Sequence, residues 1–231
     1  DRETGHAVGE IDAGIGVDEC HLGLLGANVG KTLLETADGN VWTRARAAAA
    51  AGSDARMSGS VLPVVINSGS GNQGITVSMP VIVYAQHLGA SRERLIRALT
   101  ISNLVAIHQK SKVGRLSAYC GAVSAAAGSG AAIAWLDGAS HELIELTISN
   151  TLANVSGILC DGAKPSCAAK IASAVEAALV GYSLAKKQRS FQPGDGIVKG
   201  ELEETISAVG EIASKGMLQT DDEIIRIMIS E

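Results

Sequence analysis

Two cysteines flank the stretch CDGAKPSC, residues 160 to 167, and the same stretch carries an acid, Asp161, and a base, Lys164. Four interpretations fit these residue types: a disulfide, a metal or cluster site, a reactive thiol, and the packing of small side chains. Cys160 precedes a predicted helix N-terminus, where backbone amides and the helix dipole favour a thiolate or another anion. The stretch therefore brings a candidate thiolate, an acid and a base close together.

The other two cysteines are Cys120, within an uncharged segment, and Cys20, in the sequence DECH. No Cys-x-x-Cys pair occurs, so the usual zinc signatures are missing. Four cysteines among 231 residues are also too few for the disulfide framework of a small secreted domain. Taken alone, each cysteine is most typical of a small buried residue, and the sequence predicts reduced thiols in a cytoplasmic protein.

The stretch NSGSGNQG, residues 67 to 74, is a second polar group, and it lies within residues 57 to 91, which include no charged side chain. A Gly-rich loop of this kind can point its backbone N–H groups at an anion, or it can be a tight turn between two buried helices. It is not a P-loop, since no Gly-Lys-Ser/Thr follows. It is similar to the Ser-x-Gly-Asn loop of pyridoxal-phosphate dehydratases, an interpretation that requires an alternating α/β fold and a Schiff-base lysine.

Composition indicates which elements position these residues. Aromatic residues make up 3% of the chain and Gly accounts for 27 of 231 residues, so the core must consist of small and aliphatic side chains, which let helices approach closely. Residues 57–91, 116–136 and 146–160 carry no charged side chain and are predicted to be buried. The middle segment is rich in Ala, Gly and Ser, and it is predicted to be a buried central helix rather than a membrane span.

The predicted fold is mainly α, a compact bundle of closely packed Gly- and Ala-rich helices with a small irregular or α/β element at the N-terminus. Residues 1–44 are assigned to that element and residues 45–231 to a helical catalytic-type domain. Ser91 and Ser140 can cap helices, and Pro165 is predicted at the first position of the helix after the CDGAK loop. The net charge of -5 and the pI near 5.6 argue against a nucleic-acid surface.

Three segments resemble, in this order, the iron-sulfur family that joins the serine dehydratase α-chain to L-cysteine desulfidase: SGSGNQG, IHQKSKVGRLSAYCGAVSAAAG and VSGILCDGAKPSCAAKIASAVEAALVGY. The resemblance runs from about Gly30 to the C-terminus. It implies a lyase with a [4Fe-4S] cluster held by three cysteines, without pyridoxal phosphate. Such a lyase removes water or hydrogen sulfide from a small amino acid and gives pyruvate and ammonia.

Carried over to this sequence, the resemblance makes Cys120 and Cys160 cluster ligands and places the third ligand in an N-terminal half that this chain is expected to lack. Cys20 and Cys167 are not in the family motif. Cys167 is the better substitute by position, and otherwise it is expected to serve helix packing. Four residues are expected to hold the carboxylate and amino group of the substrate: Ser68, Ser70, Asn72 and Gln73.

The implied chemistry also needs a base. An open iron site would bind the substrate carboxylate and the leaving group, while a protein base takes the α-proton. Lys164 is the predicted base because burial would lower its pKa toward neutrality, and Asp161 lies beside it. Lys112 and His108, shortly before Cys120, are the other candidates.

Two further function classes stay open: a non-catalytic helical binding or assembly module, and a pyridoxal-phosphate-dependent dehydratase. The expected partners are a small amino-acid substrate and, for the polypeptide itself, either a second copy of the chain or a missing N-terminal half. Neither nucleic acid nor a membrane is expected as a partner.

Overall fold

The computed structural model describes residues 26–114 and 117–230. Most of these residues lie in nine α-helices and one π-helical turn. These residues contain two isolated β-bridges and no β-strand, so the prediction of a mainly α bundle is confirmed. The π-helical turn, Ile212–Gly216, lies between the last two helices. The helices in chain order are α1 (Val29–Thr36), α2 (Val41–Met57), α3 (Gly71–His87), α4 (Arg92–Val113), α5 (Gly121–Leu136), α6 (His141–Val155), α7 (Cys167–Lys186), α8 (Leu202–Glu211) and α9 (Leu218–Ile229).

The Ala- and Gly-rich helix α5 lies at the centre of the bundle, and every residue in it except Gly121 and Trp135 is buried. Small side chains make this possible, because neighbouring backbones can then approach it closely. A Cβ added at Gly128 would lie 2.4 Å from the carbonyl oxygen of Ser102 on α4. The prediction of a buried central helix in this segment is confirmed.

Among the described residues, α7 alone is long and apolar enough to cross a membrane, judged by length and composition. In its most apolar window, 56% of the residues are buried inside the protein. Val175 and Leu179 of α7 belong to the same buried cluster as Val123 of α5 and Leu152 of α6. α7 is therefore buried as a core helix of the bundle is.

The described part of the N-terminal region packs onto α2. A Cβ at Gly30 would lie 2.6 Å from the Cβ of Ala51, and the buried Asp54 carboxylate accepts hydrogen bonds from the N–H groups of Ala27 and Gly30 (both 3.2 Å). The boundary predicted at residue 44 lies inside α2, while residues 1–25 of the predicted N-terminal element lie outside the described residues. The division into two domains stays a prediction.

Helix starts were predicted with mixed success. The hydroxyls of Ser91 and Ser140 accept hydrogen bonds from the N–H groups of Arg94 and Leu143 (both 3.3 Å), so both caps are confirmed. The position predicted for Pro165 is wrong by two residues, because α7 begins at Cys167. A turn precedes the helix instead, in which the Cys167 N–H donates to the Lys164 carbonyl (2.9 Å).

Candidate functional site

A short pairing of two loops brings Cys120 and Cys160 together. Tyr119 and Leu159 form an isolated antiparallel β-bridge. Across it, the N–H of Cys120 donates to the Ile158 carbonyl (3.0 Å), and the N–H of Cys160 donates to the Ala118 carbonyl (2.6 Å). The two cysteines that the family resemblance selects, one before α5 and one after α6, therefore lie side by side.

The two thiols shift each other's pKa in opposite directions. A hydrogen bond from the Cys120 thiol lowers the pKa of Cys160, and the same bond raises the pKa of Cys120, which burial raises further. The N–H of Gly162 and the charge of Lys170 also lower the pKa of Cys160, against the opposing effect of its burial. The pair therefore favours a thiolate at Cys160 and a neutral thiol at Cys120. Thiolate is the form that ligates iron.

Cys167 lies next to this pair at the first residue of α7. A negative charge on the Cys167 thiol would raise the pKa of Cys120 further, so Cys167 lies within electrostatic range of Cys120. The Cys167 Sγ accepts from the Lys164 N–H and donates to the Gly162 carbonyl, both at 3.5 Å. The half-buried thiol thus contacts the loop backbone, which differs from the helix-packing role expected for it. Cys20 lies outside the described residues.

Cys120 and Cys160 fit two ligand positions of an iron-sulfur cluster, since their thiols adjoin, one favours the thiolate, and Cys120 is buried. In the part of the chain that the structure describes, no group of three Cys, His, Asp or Glu side chains is arranged to hold a metal ion. The described residues therefore offer a thiol pair with a third thiol, Cys167, nearby.

Lys110 is a buried base beside the cysteines that the sequence interpretation missed. It lies on the last turn of α4, and its side chain is 8% exposed. Burial lowers its pKa, while negative charge at Cys160, Cys120 and Asp221 raises it. The ammonium therefore lies within electrostatic range of both cysteines. The sequence does indicate this position, because helical spacing places Lys110 on the buried face of α4. That face consists of Ser102, Ala106, Gln109, Lys110 and Val113.

Gln73 links the NSGSGNQG stretch to the cysteine pair. A Cβ at Gly121 would lie 2.4 Å from Cδ of Gln73, so the Gln73 carboxamide fills the space beside the residue that follows Cys120. Gln73 is buried, and its Oε1 has no hydrogen-bond partner among the described atoms. Buried polar atoms without partners are uncommon in folded proteins, and a bound ligand is one explanation for them.

The NSGSGNQG stretch itself is a tight turn that leads directly into α3. Asn67 and Ser70 exchange two backbone hydrogen bonds (3.2 and 3.0 Å). Between them, Ser68 and Gly69 have φ values of 50° and 85°, the left-handed conformation of a two-residue turn. The alternating α/β fold that the pyridoxal-phosphate interpretation requires does not occur in residues 26–114 and 117–230.

The other predicted substrate-binding residues have different surroundings. Asn72 Oδ1 accepts hydrogen bonds from Ser53 Oγ (3.4 Å) and from Arg56 Nη1 (3.2 Å), which ties α3 to α2. Ser68 Oγ donates to Asn67 Oδ1 (2.9 Å), and Ser70 is the residue before α3. Of the four, Gln73 is the one that the structure places against the Cys120 end of α5.

The predicted acid is half-buried and the predicted bases are exposed. Lys164 is exposed, so the expectation that it is buried is wrong; the Gly- and Pro-containing loop holds it in solvent. Asp161 forms an ion pair with Lys170, which lowers the pKa of the Asp161 carboxyl and keeps it ionised. Lys112 is exposed, and a Cβ at Gly210 of α8 would lie 2.5 Å from its Cβ. His108 is also exposed, and its Nε2 lies 2.8 Å from Oε1 of Glu203.

Comparison with known proteins identifies the family of the chain. The family described as "Serine dehydratase alpha chain" matches residues 9–226. A UPF0597 protein of Lachnoclostridium phytofermentans is 60% identical over 205 residues, which are 89% of this chain and 49% of the relative. A UPF0597 protein of Desulfitobacterium hafniense is 56% identical over 90% of this chain and 49% of its own length. One from Finegoldia magna is 52% identical, over 93% and 51% respectively.

The chain spans about half the length of these curated relatives. No solved structure matches it. The family match covers nearly the whole chain and includes the turn before α3, both adjoining cysteines and the start of α7. The chain belongs to the serine dehydratase alpha chain family.

Proposed function

We propose that this chain carries an iron-sulfur lyase site, which eliminates water or hydrogen sulfide from a small β-substituted amino acid. The observation that carries the proposal is the pairing of Cys120 with Cys160, two cysteines that adjoin although they lie far apart in the sequence. Family membership supports the reaction class. The site is proposed to act on L-serine or L-cysteine in the cytoplasm, where thiols remain reduced.

Cys120 and Cys160 are the proposed ligands of a [4Fe-4S] cluster. The third ligand is proposed to come from outside the described residues, and Cys167, whose thiol hydrogen-bonds to the loop backbone at Lys164 and Gly162, is the substitute by position. When bound, the cluster supplies an iron without a cysteine ligand, a Lewis acid for the substrate's oxygen or sulfur atoms. The β-bridge between Tyr119 and Leu159 holds together the loops that carry the first two proposed ligands.

The remaining steps belong to the protein. A base removes the α-proton, the Cβ–O or Cβ–S bond breaks, and the resulting enamine hydrolyses to pyruvate and ammonia. Lys164, whose backbone N–H donates to the Cys167 thiol, remains the proposed base. Gln73, with its unpartnered carboxamide oxygen, is proposed to accept a hydrogen bond from the amino group of the substrate.

Anaerobic purification tests the proposal. We expect the chain to contain iron and sulfide, to show broad iron-sulfur absorbance, and to release pyruvate from L-cysteine or L-serine. Cys120→Ala and Cys160→Ala should each lose the absorbance and the iron, and Cys167→Ala should lower the iron content. A preparation that stays colourless and inactive after reconstitution would overturn the lyase proposal and would favour the non-catalytic module instead.

Two controls make the result specific. Ser214→Ala changes a small side chain of the π-helical turn whose hydroxyl donates to the Gly210 carbonyl, and this variant should retain the iron. Cys20→Ala should also retain it, since Cys20 is not in the family motif; loss of iron there would overturn the ligand assignment.

A further inference from the structure

The end of α4 holds two buried polar residues, Gln109 and Lys110. Within the described residues, Lys110 forms no ion pair within 4.0 Å and no hydrogen bond, and Asp221 acts on it only at longer range. Gln109 is 3% exposed, and neither its Oε1 nor its Nε2 has a partner among these residues. Buried groups of this kind are costly unless a bound ligand or an ordered water supplies the missing hydrogen bonds.

Helical periodicity places both residues beside the cysteine pair. Ala106 packs with Val77 of α3 and Ala125 of α5 in one buried cluster. One turn further along α4 lie Gln109 and Lys110. One turn before Val77 and Ala125 lie Gln73 and Gly121, which contact each other directly next to Cys120. The unpartnered groups of α3 and α4 therefore belong to one layer of the bundle.

We propose that Lys110 and Gln109 bind the α-carboxylate of the substrate, Lys110 through its ammonium and Gln109 through its amide N–H. The inference rests on the proposed function and adds to it the residues that bind the α-carboxylate of the amino acid. A cation and a neutral donor together match one carboxylate, which accepts several hydrogen bonds. If Lys110 only balanced the charge of the cysteines, the unpartnered carboxamide of Gln109 would have no role.

The test compares two ligands that carry no leaving group. L-Alanine has the α-carboxylate, and L-alaninamide has a neutral amide in its place. We expect L-alanine, but not L-alaninamide, to raise the Tm of the anaerobically purified protein. In Lys110→Met and in Gln109→Leu, the L-alanine shift should disappear. Lys110→Arg should keep part of it, because a guanidinium also binds carboxylates.

Turnover provides a second measurement. Loss of a hydrogen bond to a charged group should lower kcat/KM for L-serine or L-cysteine about 10- to 100-fold, mainly through a higher KM. The control is Lys215→Met, which removes an exposed lysine paired with Glu211 and should leave both measurements unchanged. Iron content should be the same in all of these proteins.

The outcomes separate the two proposals. An equal Tm shift with L-alaninamide, or an unchanged L-alanine shift and KM in both Lys110→Met and Gln109→Leu, would overturn the carboxylate site. If the wild-type protein contains no iron and releases no pyruvate, the lyase proposal fails, but the L-alanine shift still tests the carboxylate site. If Lys110→Met does not fold, Gln109→Leu, which keeps the volume of the side chain, decides.

Discussion

Replacement of Gln109 by Leu should make the protein more stable. The carboxamide of Gln109 is buried with neither its oxygen nor its nitrogen partnered among the described residues, so folding removes it from water without compensation. An unsatisfied buried polar group costs about 1 to 3 kcal/mol, and Leu has a similar volume without that cost. We therefore expect the free energy of unfolding to rise by about 1 to 3 kcal/mol, which corresponds to a Tm increase of about 2 to 12 °C for a chain of this size.

Urea denaturation followed by far-UV circular dichroism, without added amino acid, measures this change. Gln86→Leu is the matched control, because Gln86 is an exposed residue of α3 and its replacement should change stability by less than about 0.5 kcal/mol. A Gln109→Leu protein that is less stable than the wild type would refute the reasoning, since the carboxamide would then have a partner in the free protein. A more stable protein with weaker L-alanine binding would mean that the residue is kept for binding.

Two further predictions concern packing and the cysteine pair. Gly128→Ala should lower the free energy of unfolding by about 1 to 3 kcal/mol, because the added Cβ would meet the Ser102 carbonyl. Gly39→Ala is the control and should not lower it, because the space around Gly39 is open. Equal urea midpoints for the two variants would contradict the prediction. In cluster-free protein, Cys160 should react with iodoacetamide at a lower pH than an ordinary thiol. Cys120→Ala removes the hydrogen bond that lowers the Cys160 pKa, so the pH midpoint should rise; an unchanged midpoint, measured by peptide mass spectrometry, would exclude that bond as the cause.

The fold was largely predictable because burial follows from composition in this chain. Charged side chains are absent from the segment that becomes α5, and a helix without them can be covered on all sides. The caps at Ser91 and Ser140 were predictable because capping depends on local sequence alone. The start of α7 was harder to predict, since proline occurs both in the first turn of a helix and in the turn that precedes a helix.

The site was only partly predictable because its members come from separate helices. Residue types alone left Cys120 and Cys160 unrelated, and the resemblance to a family joined them; the contact depends on a pairing of two loops with no regular strand pattern. Lys164 was chosen as the base on the condition that it is buried, but its loop, which contains Gly and Pro, places it in solvent. The burial of Lys110 could be predicted from the buried face of α4, but only by assigning each residue of the helix to a face from its spacing.

The position of the helix ends explains why negative charge can be held at this site in a chain with a net charge of -5. α5 begins directly after Cys120, α7 begins at Cys167, and the first turn of α3 contacts Gly121 through Gln73. Each N-terminus contributes a partial positive charge. Lys110 and Lys170 add full positive charges near the cysteines. Thiolates and a substrate carboxylate would therefore be stabilised by fixed dipoles and cations, which the tightly packed Gly- and Ala-rich helices keep from reorienting.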